Sequence, residues 1–137
     1  MKKLIFILFL SPFLTKAQKA LPRFENDTLT TTSGFKIYKG KKLQFGNGTG
    51  KNGKFRYINI KNEVSTAQLA NNSIVVQKMK NYGISVLGNG YIEIIGVIIF
   101  KDGSKGYVDI HMAFDKAIQN IPGSPGELIV PEEFNKN

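Results

Sequence analysis

The fold is decided by the stretch from Tyr91 to Met112, which reads YIEIIGVIIFKDGSKGYVDIHM. The run from Tyr91 to Phe100 is the most apolar one after the N terminus, and such a run is typical of a central strand. The Asp102-Gly103 dipeptide separates it from a second β-rich run, and a two-residue Asp-Gly loop favours a type I′ turn. We therefore predict a β-hairpin in which Lys101 lies opposite Ser104.

This turn also predicts the register of the two strands. One face of the hairpin becomes wholly apolar and is predicted to face the core, whereas the other face is only half apolar. Because a slip of one residue turns a strand over, we expect a well-defined register. The predicted core face pairs Ile95 with Ile110, Val97 with Val108 and Ile99 with Gly106, and the other face pairs Ile94 with His111, Gly96 with Asp109, Ile98 with Tyr107 and Phe100 with Lys105.

Short strands and turns fill the rest of the chain. β-branched residues and period-two alternation predict strands over Thr28–Thr32, Phe35–Tyr38, Leu43–Phe45, Phe55–Ile60, Ile74–Met79 and Leu128–Val130, and short helical turns are predicted over Val64–Ala70 and Asp115–Gln119. The glycines between Gly46 and Gly53 predict a loop. Because strands do not alternate with long helices, we predict a mainly β fold. It is a small antiparallel barrel or sandwich, SH3-like or OB-like, with one or two short helices.

The N-terminal residues 1–17 have the parts of a signal peptide. Lys2 and Lys3 precede the apolar run Leu4–Leu14, and small residues stand at the predicted cleavage site after Ala17. The apolar run is shorter than the ~20 residues that a membrane-spanning helix needs, so no transmembrane anchor is expected after cleavage. We therefore expect an exported protein, periplasmic or secreted, that starts at Gln18. A flexible lead-in is expected over residues 18–27 and a single β-rich domain over 28–134.

The composition excludes several kinds of site. The 137-residue chain has no cysteine, so it can form neither a disulfide scaffold nor a thiolate zinc site. A histidine-based metal site would need other ligands beside the single histidine, His111. No metal site and no cofactor are therefore predicted from the sequence.

A glycine-rich motif resembles a nucleotide-binding fingerprint. Residues 48–53 match G-x-G-x-x-G and follow a predicted strand. The fingerprint requires a helix that opens at the glycines, so that the pyrophosphate lies at the helix N terminus. Residues 55–60 alternate as a strand instead, and we interpret residues 46–53 as a mobile hairpin loop.

The predicted hairpin contains residue types of two catalytic arrangements. Asp109 and His111 share one strand face, but the nearest serine in that strand, Ser104, lies at its other end, so a Ser-His-Asp triad is not expected. Glu93 and Asp109 have the residue types of a glycosidase pair. The predicted register places them on opposite faces, and they are interpreted as solvated charges at the edge of the sheet.

Positive charge is concentrated in one segment. The formal net charge is +9, and residues 35–61 carry eight cations with no acidic residue, whereas residues 62–137 carry six lysines against eight carboxylates. Aromatic residues interleave with these cations, as on surfaces that stack on bases or sugars while they contact anions. A lysine-rich solvated face with its aromatic residues in the core is the alternative. The predicted binding face consists of Lys36, Tyr38, Lys39, Lys41, Lys42, Lys51, Lys54 and Arg56.

The stretch Tyr38–Thr49 together with Phe55–Ile58 resembles small exported Bacteroidota proteins, a family with no assigned function. The resemblance implies export but no particular activity. Our leading hypothesis is a non-enzymatic, exported β-barrel that binds an anionic glycan, a lipid head group or a protein of the cell envelope through its basic face. An exported enzyme or inhibitor is the alternative, and nucleic acid is a disfavoured partner because of the compartment.

Overall fold

The computed structural model describes residues 21–84, 90–119 and 125–135, so the predicted signal peptide lies outside the described residues. These ranges fold mainly as β-structure, as the sequence predicts. The strands are β1 (Arg23–Glu25), β2 (Thr28–Thr30), β3 (Lys36–Tyr38), β4 (Lys42–Phe45), β5 (Ile58–Ile60), β6 (Ser73–Ile84), β7 (Gly90–Ile99), β8 (Lys105–Met112) and β9 (Leu128–Ile129). The helices are α1 (Thr66–Leu69) and α2 (Phe114–Ile118), and single 3₁₀ turns cover Lys51–Gly53 and Glu132–Phe134.

The strands form two antiparallel sheets. The first is the meander β1-β2-β3, and the second is a curled six-stranded sheet in the order β5-β8-β7-β6-β4-β9. β1 lies inside the predicted lead-in 18–27 and pairs with β2 through a turn in which Asn26 and Asp27 both have positive φ. Both are residue types that tolerate this conformation, which a two-residue type I′ hairpin loop requires.

The predicted two-residue loop of the central hairpin is wrong, because the loop has three residues. The N–H of Gly103 donates to the carbonyl of Phe100 at 2.9 Å, the N–H of Phe100 donates to the carbonyl of Ser104 at 2.8 Å, and Gly103 has φ +86°. This is a type I turn followed by a left-handed residue. Asp102 Oδ1 accepts hydrogen bonds from the Ser104 hydroxyl and N–H, which stabilise the turn and hold the pKa of Asp102 below its usual value.

The extra loop residue changes which face of β7 is buried. Ile94 pairs with Ile110 and Ile98 with Gly106, so the predicted register is shifted by one residue. The prediction for β8 is correct, since Val108 and Ile110 are buried. It is wrong for β7, where the buried residues are Ile92, Ile94, Gly96 and Ile98, and where Ile95, Val97 and Ile99 lie on the outer face.

One hydrophobic core joins both sheets and the helices. Leu29 and Ile37 of the three-stranded sheet belong to the same buried cluster as the inner face of the six-stranded sheet and Phe114 of α2. Thr32 links the two parts further, because its N–H and hydroxyl donate to the Asp115 carboxylate at 2.9 and 2.8 Å. In the described ranges, no helix is long and apolar enough to cross a membrane.

Candidate binding site

A groove with a volume of about 570 Å³ lies on the outer face of the six-stranded sheet. Side chains alternate between the two faces of a strand, so the residues between the buried ones point outward. One row of paired residues crosses four neighbouring strands, from Lys42 on β4 through Val75 and Val97 to Tyr107 on β8. We call this region the outer groove; its lining residues are Lys42, Asn72, Ser73, Val75, Gln77, Val97, Ile99, Lys105, Gly106 and Tyr107.

The floor of the outer groove is apolar yet open to solvent. Tyr107 is 65% exposed, Ile99 is 56% exposed and Val75 is 43% exposed. Isolated exposed apolar residues are ordinary, but a contiguous patch with a polar surround is typical of an interaction site. The strand register explains the patch, because it brings residues from β6, β7 and β8 side by side on one face.

Lysines stand on both sides of the outer groove. Lys42 comes from β4 and Lys105 from β8, and both are exposed. Two strands lie between β4 and β8, so at a strand spacing of about 4.8 Å their backbones are about 14 Å apart. The arrangement can bind a partner with apolar groups in its middle and negative charges at its edges.

The structure distributes the eight residues of the predicted binding face over four places. Lys36 and Tyr38 lie on β3, Lys39 and Lys41 lie in the turn to β4, and Lys42 lines the outer groove. The remaining three, Lys51, Lys54 and Arg56, lie in or beside the glycine-rich loop. The Lys41 ammonium lies 5.2 Å from the Phe35 ring centroid and 5.7 Å from that of Tyr38, which brings two of the eight together.

The glycine-rich loop and the residues that follow it surround the carboxylate of Glu127. This side chain is 1% exposed. Its Oε2 accepts hydrogen bonds from the N–H and hydroxyl of Thr49 and from the N–H of Arg56, and its Oε1 accepts one from the N–H of Tyr57. A Cβ at Gly48 would collide with the carbonyl of Gly53, so the loop needs glycine there. The motif that resembles a phosphate-binding fingerprint thus binds a side chain of its own chain.

The same contacts explain why β5 is shorter than predicted. The predicted strand covers Phe55–Ile60, whereas the observed one begins at Ile58. The N–H groups of Arg56 and Tyr57 donate to Glu127 instead of to a neighbouring strand. Tertiary contacts have overridden the local alternation here.

A cluster of Glu93, Asp109 and His111 lies on the outer face next to the groove. One ligand atom from each residue lies within 4.8 Å of the others, and His111 Nε2 is 3.8 Å from Glu93 Oε2. The prediction that Glu93 and Asp109 point to opposite faces is wrong, because Glu93 pairs with His111 and Ile95 pairs with Asp109. The shifted register places all three side chains on one face.

Sequence reasoning missed most of the outer groove. Of its lining residues only Lys42 belongs to the predicted binding face, and the prediction that Val97 and Ile99 face the core is wrong. The signal for them was alternation in β7 and β8, but alternation alone does not say which face is buried when both faces of β7 are apolar.

Comparison of the chain with protein-family models, with curated proteins and with solved structures found no match.

Proposed function

We propose that this protein is an exported, non-enzymatic β-domain that binds a protein partner of the cell envelope in the outer groove. The partner presents apolar side chains to the groove floor and acidic side chains to Lys42 and Lys105. The observation that carries the proposal is the continuous row from Lys42 to Tyr107, which combines exposed apolar groups with a cation at its edge. Protein interfaces have this anatomy, with an apolar centre that favours tyrosine and a polar rim.

The floor of the groove favours a protein over the other anionic partners. Sugars stack on aromatic rings, whereas Val75, Val97 and Ile99 are aliphatic and Tyr107 is the only aromatic residue that lines the described groove. A phosphate head group calls for cations that converge on one point, and Lys42 and Lys105 come from strands on opposite sides of the groove. Apolar side chains of a protein fit such a floor.

The net charge of the chain favours a partner that carries negative charge. The chain carries an excess of nine positive charges before any processing. Such an excess steers acidic partners toward the surface and speeds association. Export is supported by the features of residues 1–17, which lie outside the described part of the chain.

Paired charge reversals test the proposal. The probe is a panel of synthetic peptides in which two or three apolar residues are flanked by glutamates, and binding is measured by fluorescence anisotropy. Lys42→Glu with Lys105→Glu is expected to weaken binding about tenfold or more, since each reversal turns an attraction into a repulsion. The matched control, Lys51→Glu with Lys54→Glu, makes the same charge change in the glycine-rich loop and is expected to have a much smaller effect.

Three outcomes contradict the proposal. Equal losses from both pairs mean that the protein responds only to net charge. Tighter binding of heparin, or of vesicles rich in phosphatidylglycerol, than of any peptide assigns the surface to a glycan or a lipid. Unchanged peptide binding by Tyr107→Ala moves the site away from the groove, because this exposed ring is expected to contribute contact area without stabilising the fold.

A further inference from the structure

We propose that Glu93, Asp109 and His111 bind a divalent first-row transition-metal cation such as Zn²⁺ on the outer face of the six-stranded sheet. This inference is independent of the proposed function. It starts from the pairing of β7 with β8, where Glu93 lies opposite His111. Asp109 lies two residues before His111 on the same face of β8. Three residues of ligand type are therefore fixed by two central, hydrogen-bonded strands.

The distances suit a single cation. The three ligand atoms lie within 4.8 Å of one another, and His111 Nε2 lies 3.8 Å from Glu93 Oε2. Two ligands of a tetrahedral zinc ion, each about 2.1 Å from the metal, are about 3.4 Å apart. Small side-chain rotations are therefore enough to bring the three atoms to bonding distance.

A second observation at the cluster points to a cation. Asp109 Oδ1 is buried, and within residues 21–84, 90–119 and 125–135 it has no hydrogen-bond partner. A buried carboxylate oxygen without a partner costs free energy, and such atoms in native structures call for an explanation such as an ion. A bound cation would supply the missing partner.

The lysines around the cluster do not form ion pairs with Glu93 or Asp109 in the described residues, so both carboxylates are available to a cation. Lys80 lies opposite Glu93 on β6, Lys78 lies opposite Ile95, and the backbone N–H of Lys61 on the far side of β8 donates to the carbonyl of Asp109. In the part of the chain that the structure describes, none of these ammonium groups comes within 4 Å of either carboxylate. In the same residues, His111 is the basic side chain that comes within 4 Å of Glu93.

The donor set selects the class of metal. An imidazole nitrogen with two carboxylate oxygens suits zinc and its first-row neighbours, whereas Mg²⁺ prefers oxygen ligands alone. Glu93 and His111 are 17% and 19% exposed, so solvent can reach the cluster. The remaining coordination positions are thus open to water or to an anion.

A titration of the metal-free full chain with ZnCl₂ tests the proposal. Isothermal calorimetry is expected to show one bound ion per chain. Because His111 is the single histidine, its ring-proton NMR signals report on the site without overlap, and they are expected to shift with the same titration. Excess Mg²⁺ is expected not to displace the ion.

Variants assign the binding to the cluster. His111→Gln, Asp109→Asn and Glu93→Gln are each expected to weaken Zn²⁺ binding by about tenfold or more. Asp102→Asn is the matched control, since it removes an exposed carboxylate at the hairpin tip, and it is expected to bind Zn²⁺ like the unchanged chain. Three substitutions are made so that a folding defect in one leaves two to decide. Unchanged affinity in the folded variants, displacement by Mg²⁺, or no saturation by about 1 mM Zn²⁺ would overturn the proposal.

Discussion

The conformation of the glycine-rich loop depends on one residue, Glu127, through its carboxylate. Backbone N–H groups that are removed from water need acceptors, and here Thr49, Arg56 and Tyr57 all find theirs in one side chain. Tyr57 and Glu127 are 70 residues apart in the chain. No local pattern indicates a contact of that range, and residues 46–53 therefore read as a mobile loop in the sequence.

We expect Glu127→Gln to lower the free energy of unfolding by about 2–3 kcal/mol. A glutamine has one acceptor oxygen, and its NH₂ group would face backbone donors that the carboxylate now satisfies. Urea denaturation followed by circular dichroism measures the change. Glu63→Gln removes the same charge from an exposed position and is expected to change stability by less than about 0.5 kcal/mol. A Glu127→Gln midpoint equal to that of the control would mean that the loop does not depend on this carboxylate.

At the scale of the element, the β7–β8 hairpin shows how one loop residue decides which face of a strand is buried. The Asp-Gly pair correctly indicated a hairpin at this point in the chain. The Asx-type hydrogen bonds of Asp102 to Ser104 favour a three-residue loop over the two-residue one. Since side chains alternate with period two, this one-residue difference turned β7 over relative to the prediction.

Aspartate substitutions on the two strands distinguish the observed register from the predicted one. Ile110→Asp buries a carboxylate without a partner and is expected to unfold the domain, because the cost of several kcal/mol is comparable to a total stability of roughly 5–15 kcal/mol. Val97→Asp lies on the outer face and is expected to leave a cooperative thermal transition. If the predicted register were correct, both variants would unfold. Absence of a cooperative thermal transition in Val97→Asp would therefore contradict the observed pairing.

Elements were predicted better than their pairing. The strands that contain Leu29, Ile37, Leu43 and Ile74 were all predicted, as were both helical turns, because these patterns depend on residues that are close together in the sequence. The neighbours that are distant in sequence were not predicted: β4 pairs with β6 and β9, and β5 pairs with β8. The binding site was predicted less well than the fold, because the outer groove is formed by residues that the pairing of distant strands brings together.

For the molecule as a whole, folding brings residues of the basic segment 35–61 next to residues of the segment 62–137, in which positive and negative charges nearly balance. Residues 35–61 hold eight cations and no acid, which suggested a basic half with its own binding face. The sheet instead places Lys42 from this segment and Lys105 from the other part on one groove. A contrast between halves of the sequence is therefore not a contrast between faces of the molecule, and the control substitutions have to be chosen by position on the sheet.

Removal of residues 1–17 is the prediction that concerns the whole chain. Intact-mass spectrometry of protein recovered from the envelope or medium of an expressing bacterium is expected to find a chain that starts at Gln18, either as glutamine or cyclised to pyroglutamate. Loss of Lys2, Lys3 and Lys16 would lower the formal charge from +9 to +6. The physical basis is the basic start, the short apolar run and the small residue before the cut.

A variant makes the processing test specific to this site. Ala17→Arg places a large, charged side chain where the signal peptidase accepts small residues, so the uncut chain is expected to accumulate at the membrane while the unchanged chain is released. Cleavage at this point would remove none of the residues of the groove or of the Glu93-Asp109-His111 cluster. Mature protein that keeps residues 1–17 would remove the argument for export, and an envelope partner would then have to be replaced by one inside the cell.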